Sequence, residues 1–152
     1  GGFSLALASD IRIAGESAKM NAAYIKIGLT GCDMGSSYFL PRLVGTSVSS
    51  ELLMTGRFIH ATRALAVSLV SEVVPDDALE SAAQGFIDDM LLTSPMGLRL
   101  TKDALNFSVD ASSLEAAMAV EDRHQSLLAL TDDAVEAGLS FFEKRKPQYQ
   151  DQ

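Results

Sequence analysis

The residue types that could do chemistry gather between Gly1 and Gly35, with one basic cluster far downstream. Gly1-Gly2 precede Leu5-Ala6-Leu7-Ala8, a short run of good helix formers. A helix start presents unpaired N–H groups with positive partial charge, and such groups stabilise an oxyanion as it develops. The same glycines also read as a tight turn between two core elements, because glycine reaches positive φ without steric cost. Asp33 lies in the loop Gly28-Leu29-Thr30-Gly31-Cys32-Asp33-Met34-Gly35. Its carboxylate could shuttle a proton, or cap a helix beginning near Met34. Tyr24 offers a hydroxyl that could line a pocket or find a hydrogen-bond partner while its ring is half-buried. Ser4 has no evident His or Lys partner and reads as packing or a local hydrogen bond. Cys32, with no base beside it, reads as a small buried side chain rather than a nucleophile. Lys144-Arg145-Lys146 is either a solvated helix end or an anion contact.

The elements that must hold these groups are short strands and many helices. Asp10-Ile11-Arg12-Ile13-Ala14 alternates as a strand does and stops at Gly15. A second short strand is expected from Lys19. Met34 to Leu43 reads as a helix limited by Pro41, and Ser47 to Thr55 as another that stops at Gly56. Ala61 to Ser68 reads as a short helix, and Ser71 to Val74 as a strand ended by Pro75. Asp76 is expected to cap a helix carrying Leu79, Ala82, Ala83, Phe86 and Met90 on one face. Ser94-Pro95 opens the next helix. Ser112-Ser113-Leu114-Glu115 reads as a capping box for a helix to about Leu130, with His124 near Glu121. Asp132 or Asp133 should start the last helix, with Val135, Leu139 and Phe142 facing inward.

The 152 residues are 47% apolar and 21% charged, an ordinary globular composition long enough to bury a core. The net charge of −8 argues against nucleic acid as a partner. No run of about 18 apolar residues is present to span a membrane. The single Cys32 cannot form an internal disulfide and fits a reducing compartment, which makes the cytoplasm the expected location. Nothing in the spacing of His, Cys and acidic residues points to a metal.

The run Gly-Gly-x-x-Leu-Ala-x-x-x-Asp-x-Arg-Ile-Ala resembles the central signature of the crotonase (enoyl-CoA hydratase/isomerase) superfamily. Ile27-Gly28-Leu29, Leu40-Pro41-Arg42-Leu43-Val44-Gly45, Leu53 to Ile59, Leu69 to Pro75, Ser94-Pro95 and Phe142-Glu143-Lys144-Arg145-Lys146-Pro147 follow in register. The resemblance implies an α/β fold, the C-terminal portion of a ββα spiral core followed by a helical oligomerisation region. Residues 1–75 would be the core part, with the oxyanion hole and the active-site loop, and 76–152 the helical region. Family members carry roughly another hundred residues upstream, about one α/β domain, with the first oxyanion donor and much of the acyl-CoA pocket.

By this resemblance the activity is that of an acyl-CoA hydratase (a lyase) or isomerase acting through a thioester enolate in fatty-acid or related metabolism. Coenzyme A is part of the substrate, and no separate cofactor is implied. Gly1 would be the second oxyanion donor, provided a peptide bond joins it to a preceding residue. Gly2 and Tyr24 would touch substrate, and Lys144 would lie near the adenine and phosphates of coenzyme A. The two hydratase glutamates of the family fall at Ser4 and Tyr24, neither an acid at neutral pH, so Asp33 is the replacement proton carrier. The helices would build a homotrimer, or a hexamer of two trimers. The rival reading is a non-catalytic relative that binds acyl-CoA or forms oligomers. The 152 residues alone are expected to be inactive and prone to aggregate through an open sheet edge.

Overall fold

The glycine pair runs directly into a helix. In the computed structural model, which describes residues 1–152, helix α1 spans Gly2–Leu7 and buries Phe3, Ser4 and Leu7 on one face. Gly2 is helical and has no positive φ, so the pair does not form the tight turn that its composition allows. The following strand, β1, covers only Ile13–Gly15 and not the stretch from Asp10. Just before the strand, Arg12 ties the chain down by side chain and backbone. Its Nε donates to Leu69 O at 2.8 Å, its Nη1 donates to Ser9 O, and its carbonyl accepts the Ser71 N–H at 2.8 Å.

Two small sheets result. β1 pairs in parallel with β4, Glu72–Val74, with Ala14 opposite Val73. β2, Lys19–Met20, pairs antiparallel with β3, Ile59–His60. Between β2 and the glycine loop the chain makes a 3-10 turn, Ala23–Ile27, ended by Gly28 at φ 83°.

Helix α2 spans Ser36–Thr55 and carries Pro41 inside it. The interruption that divides it falls at Gly45, with φ 77° and ψ 167°, a backbone region open essentially to glycine alone. Two helices are therefore present as expected, but the glycine and not the proline separates them. α3 spans Ala61–Ala66. The core of this part is made by Leu40, Leu52, Ile59 and Leu69, all fully buried, packed with Phe3, Leu7, Ala22, Ala61 and Ala64. Each large aliphatic side chain there contributes about 1.5–3 kcal/mol by leaving water.

The chain divides into two compact units, Gly1–Gln84 and Gly85–Gln152, with α4, Leu79–Met90, running through the boundary. Asp76 does not cap that helix; its carboxylate accepts the Ser17 N–H at 3.1 Å.

The second unit is helical. α5, Pro95–Ser108, starts on Ser94, whose hydroxyl accepts the Gly97 N–H at 3.1 Å. α6, Leu114–Leu128, is capped by Ser113, which accepts from Ala116 N at 3.2 Å. α7, Asp132–Glu143, starts at Asp132 as expected, with Thr131 as its cap residue. His124 on α6 sits with Nε2 3.4 Å from Asp103 Oδ2 of α5, not on Glu121.

Val135, Leu139 and Phe142 do not face inward. They are 61%, 50% and 82% exposed, because α7 turns Asp133 and Ser140 toward the interior instead. No helix is long and apolar enough to cross a membrane.

Candidate functional site

α1 places the Ser4 side chain on its buried face, only 2% exposed. The Ser4 hydroxyl donates to Asp33 O at 3.0 Å, and its oxygen lies 3.4 Å from the Tyr24 hydroxyl. A serine has one proton to give, so with that proton on Asp33 O the Tyr24 hydroxyl is the donor to Ser4. The positions resembling the two hydratase glutamates and the candidate proton carrier therefore meet in one chain, Tyr24 to Ser4 to Asp33.

The loop bearing Asp33 is pinned at both ends. Gly31 lies so close to α2 that a Cβ there would stand 1.9 Å from Leu53 O, so no larger residue fits. Cys32 N donates to Thr30 Oγ1 at 3.1 Å, and the Cys32 side chain is exposed rather than buried, since the loop carries it outward. At the far end Asp33 N donates to Ser36 Oγ and Ser36 N donates to Asp33 O, both at 3.0 Å. Met34 at φ 48° and Gly35 at φ 84° turn the chain into α2. Gly35 is the cap residue, and no side chain caps α2, so Asp33 is not the N-cap. With both its backbone groups engaged, Asp33 is left with an exposed carboxylate.

Residue type alone does not single out Ser36, yet it is fully buried and fixes the Asp33 backbone. Its signal is the three-residue spacing Asp33-x-x-Ser36, which permits the reciprocal bonding seen in capping boxes.

Gly1 and Gly2 are exposed, and a Cβ at either would meet no atom within 4 Å. Gly1 is the cap residue of α1, and its carbonyl accepts the Leu5 N–H at 2.9 Å.

Lys144 belongs to the second unit. It is exposed at the end of α7 in the left-handed conformation, φ 53° and ψ 40°. Its neighbour Arg145 is not a free cation: Nη2 lies 2.8 Å from Glu136 Oε2 and Nε 2.6 Å from Glu143 Oε2. The Arg145 fork, helped by the Gln148 N–H, pulls the Glu136 carboxyl down to about 2.

A family model described as enoyl-CoA hydratase/isomerase matches residues 1–152. The chain belongs to the enoyl-CoA hydratase/isomerase family. It is 42% identical over 152 residues to a Mycobacterium tuberculosis protein that bears the name probable enoyl-CoA hydratase, covering 99% of this chain and 53% of that protein. It is 34% identical to the human mitochondrial methylglutaconyl-CoA hydratase, covering 98% of this chain and 44% of that one. Among solved structures, an enoyl-CoA hydratase from Bacillus anthracis superposes with a TM-score of 0.91 at 32% identity, covering 96% of this chain and 56% of that one. The α/β architecture is thus that of crotonase-family structures, and the chain spans about half the length of the relatives it matches.

Proposed function

We propose that the full-length protein containing this chain is an acyl-CoA enzyme of the hydratase/isomerase type that works through a stabilised thioester enolate. The observation that supports this reading is the convergence of Ser4, Tyr24 and the Asp33 backbone, with the Asp33 residue itself exposed. In this reading the Gly1 peptide N–H, with a second donor from the rest of the protein, holds the thioester oxygen as it gains charge. Gly2 and Tyr24 border the acyl group. Asp33 removes a proton from one carbon of the acyl chain and returns it to another, which moves a double bond. Ser4 and Tyr24 supply no acid for the two-glutamate addition of water, so isomerisation is favoured over hydration. Lys144 meets the phosphates of coenzyme A, and no other cofactor takes part. Helices α4–α7 assemble the protein into trimers, a role that suits the exposed Leu105, Leu114, Phe141 and Phe142.

Asp33→Asn in the full-length protein tests this. Removing a general acid–base group lowers turnover by about 10²–10⁴-fold. The assay is isomerisation of 3-enoyl-CoA to 2-enoyl-CoA, with solvent deuterium uptake at the α-carbon as a second readout. Unchanged turnover and exchange would remove Asp33 from the mechanism.

A specific observation favours a second reading, a binding protein without turnover: the Ser4 hydroxyl is already committed to Asp33 O, and neither glutamate position bears an acid. Tight acyl-CoA binding with no α-carbon exchange would select it.

A further inference from the structure

Lys144 is strained without an evident structural need. The residue that closes a helix in the left-handed conformation is usually glycine, with asparagine next, because a Cβ is disfavoured there. A glycine at this position would end α7 equally well. A lysine in a sparsely populated backbone region points to a use for its side chain.

The surroundings show how the strain is held. The Lys144 N–H donates to Phe141 O at 3.3 Å and the Arg145 N–H to Ser140 O at 3.1 Å. Arg145 then reaches back along α7. Its Nη1 and Nη2 take both oxygens of Glu136, while Nε takes Glu143. The chain beyond the turn is drawn in as well, since Gln148 N donates to Glu136 Oε1 at 2.7 Å. One guanidinium therefore engages the carboxylates of Glu136 and Glu143 and locks the turn from both sides. Without it, Glu136 and Glu143 would be free to pair with the lysine or to repel an anion, in a chain whose net charge is already −8. The Lys144 ammonium itself makes no ion pair.

We propose that Glu136 and Arg145 are positioning residues that hold Lys144 in its left-handed turn and free of carboxylates, so that its ammonium is preset for the phosphate groups of a coenzyme A thioester. The proposal rests on the acyl-CoA reading above and adds to it the pair that makes the lysine competent.

The test compares steady-state kinetics of the full-length protein on a coenzyme A thioester and on the matching pantetheine thioester, which lacks the nucleotide phosphates. Lys144→Gly should raise KM for the coenzyme A thioester about tenfold, one charge-assisted contact. It should raise Tm at the same time, because glycine relieves the turn. Arg145→Gln and Glu136→Gln should raise the same KM, with kcat nearly constant and KM for the pantetheine thioester little affected. If Lys144→Gly raises KM while folded Arg145→Gln and Glu136→Gln do not, the positioning role is overturned and the acyl-CoA reading stands. If KM rises equally for both thioesters, the pair is merely structural and the proposal is overturned. If the unaltered protein neither turns over nor binds either thioester, the acyl-CoA reading fails and this proposal fails with it.

Discussion

The hydroxyl of Ser4 donates to the backbone carbonyl of Asp33 at 3.0 Å, joining residues 29 apart in the chain. This bond ties the buried face of α1 to the loop that carries the candidate carboxylate. Its consequence is that Asp33 is placed by its backbone and not by its side chain. A substitution that changes only the carboxylate, such as Asp33→Asn, should leave the loop in position.

Ser4→Ala should have the opposite effect. Asp33 O would keep only the Ser36 N–H, and the Tyr24 hydroxyl would lose its acceptor. The expected cost is about 1–3 kcal/mol, the range for leaving a buried polar group unsatisfied. Turnover should fall with it. Tyr24→Phe should cost less, since its 3.4 Å contact is long for an O–H···O bond. Urea midpoints of the two variants check the order; a larger loss from Tyr24→Phe would show that the tyrosine, not the serine, anchors the group.

Two glycines should resist substitution for different reasons. At Gly31 the obstacle is volume, because an added Cβ would stand 1.9 Å from Leu53 O and the loop would have to move. Overpacking of this kind costs about 1–3 kcal/mol. At Gly45 a Cβ meets nothing within 4 Å, and the obstacle is the backbone conformation, also worth about 1–3 kcal/mol. Thermal unfolding should therefore show similar losses for Gly31→Ala and Gly45→Ala, while only Gly31→Ala displaces Asp33 and lowers activity. Equal activity losses would mean that the loop is not held at Gly31.

Acid should release two surface clusters late. Glu51, chiefly through Arg63, and Glu136, chiefly through Arg145, each have carboxyls lowered from 4.5 to about 2. A carboxyl depressed on folding stabilises the fold above its unfolded value, and that contribution is lost as pH falls from there through the folded value. The window is thus between about 4.5 and 2. The Gln148 amide, bonded to Glu136, reports it by NMR: a titration midpoint near 2 is expected, and one near 4.5 would show that the pair does not persist in solution.

Asp133 should govern the C-terminal tail. The side chain is 3% exposed and accepts the N–H groups of Gln150 at 2.7 Å and Asp151 at 3.0 Å, while its own N–H donates to Gln152 O. Arg99 adds a two-pronged pair to Asp151. Asp133→Ala leaves two backbone donors without partners, and the tail should become cleavable by protease after Pro147. Protection equal to that of the unaltered protein would show that Arg99 alone suffices.

Signals that act within a few residues are legible in the sequence itself. Ser94-Pro95 opens α5 because serine accepts the Gly97 N–H and proline suits the first helical position. Gly56 ends α2, and β4 stops at Pro75, for equally local reasons. The glycine motif and its companions carry the family assignment.

Tertiary structure decided what residue type leaves open. Asp76 looks like a helix cap and Asp133 like part of a helix start, but a carboxylate serves whichever N–H groups the fold brings to it, and these lie 59 and 17–18 residues away. Phe142 has the spacing of a core residue, yet burial requires a surface opposite, and this chain offers none there. The link from Tyr24 through Ser4 to Asp33 could not be read from spacing, because it depends on which face of α1 meets the loop. Local sequence sets backbone preference within about a turn, whereas partner choice across the fold is settled by packing.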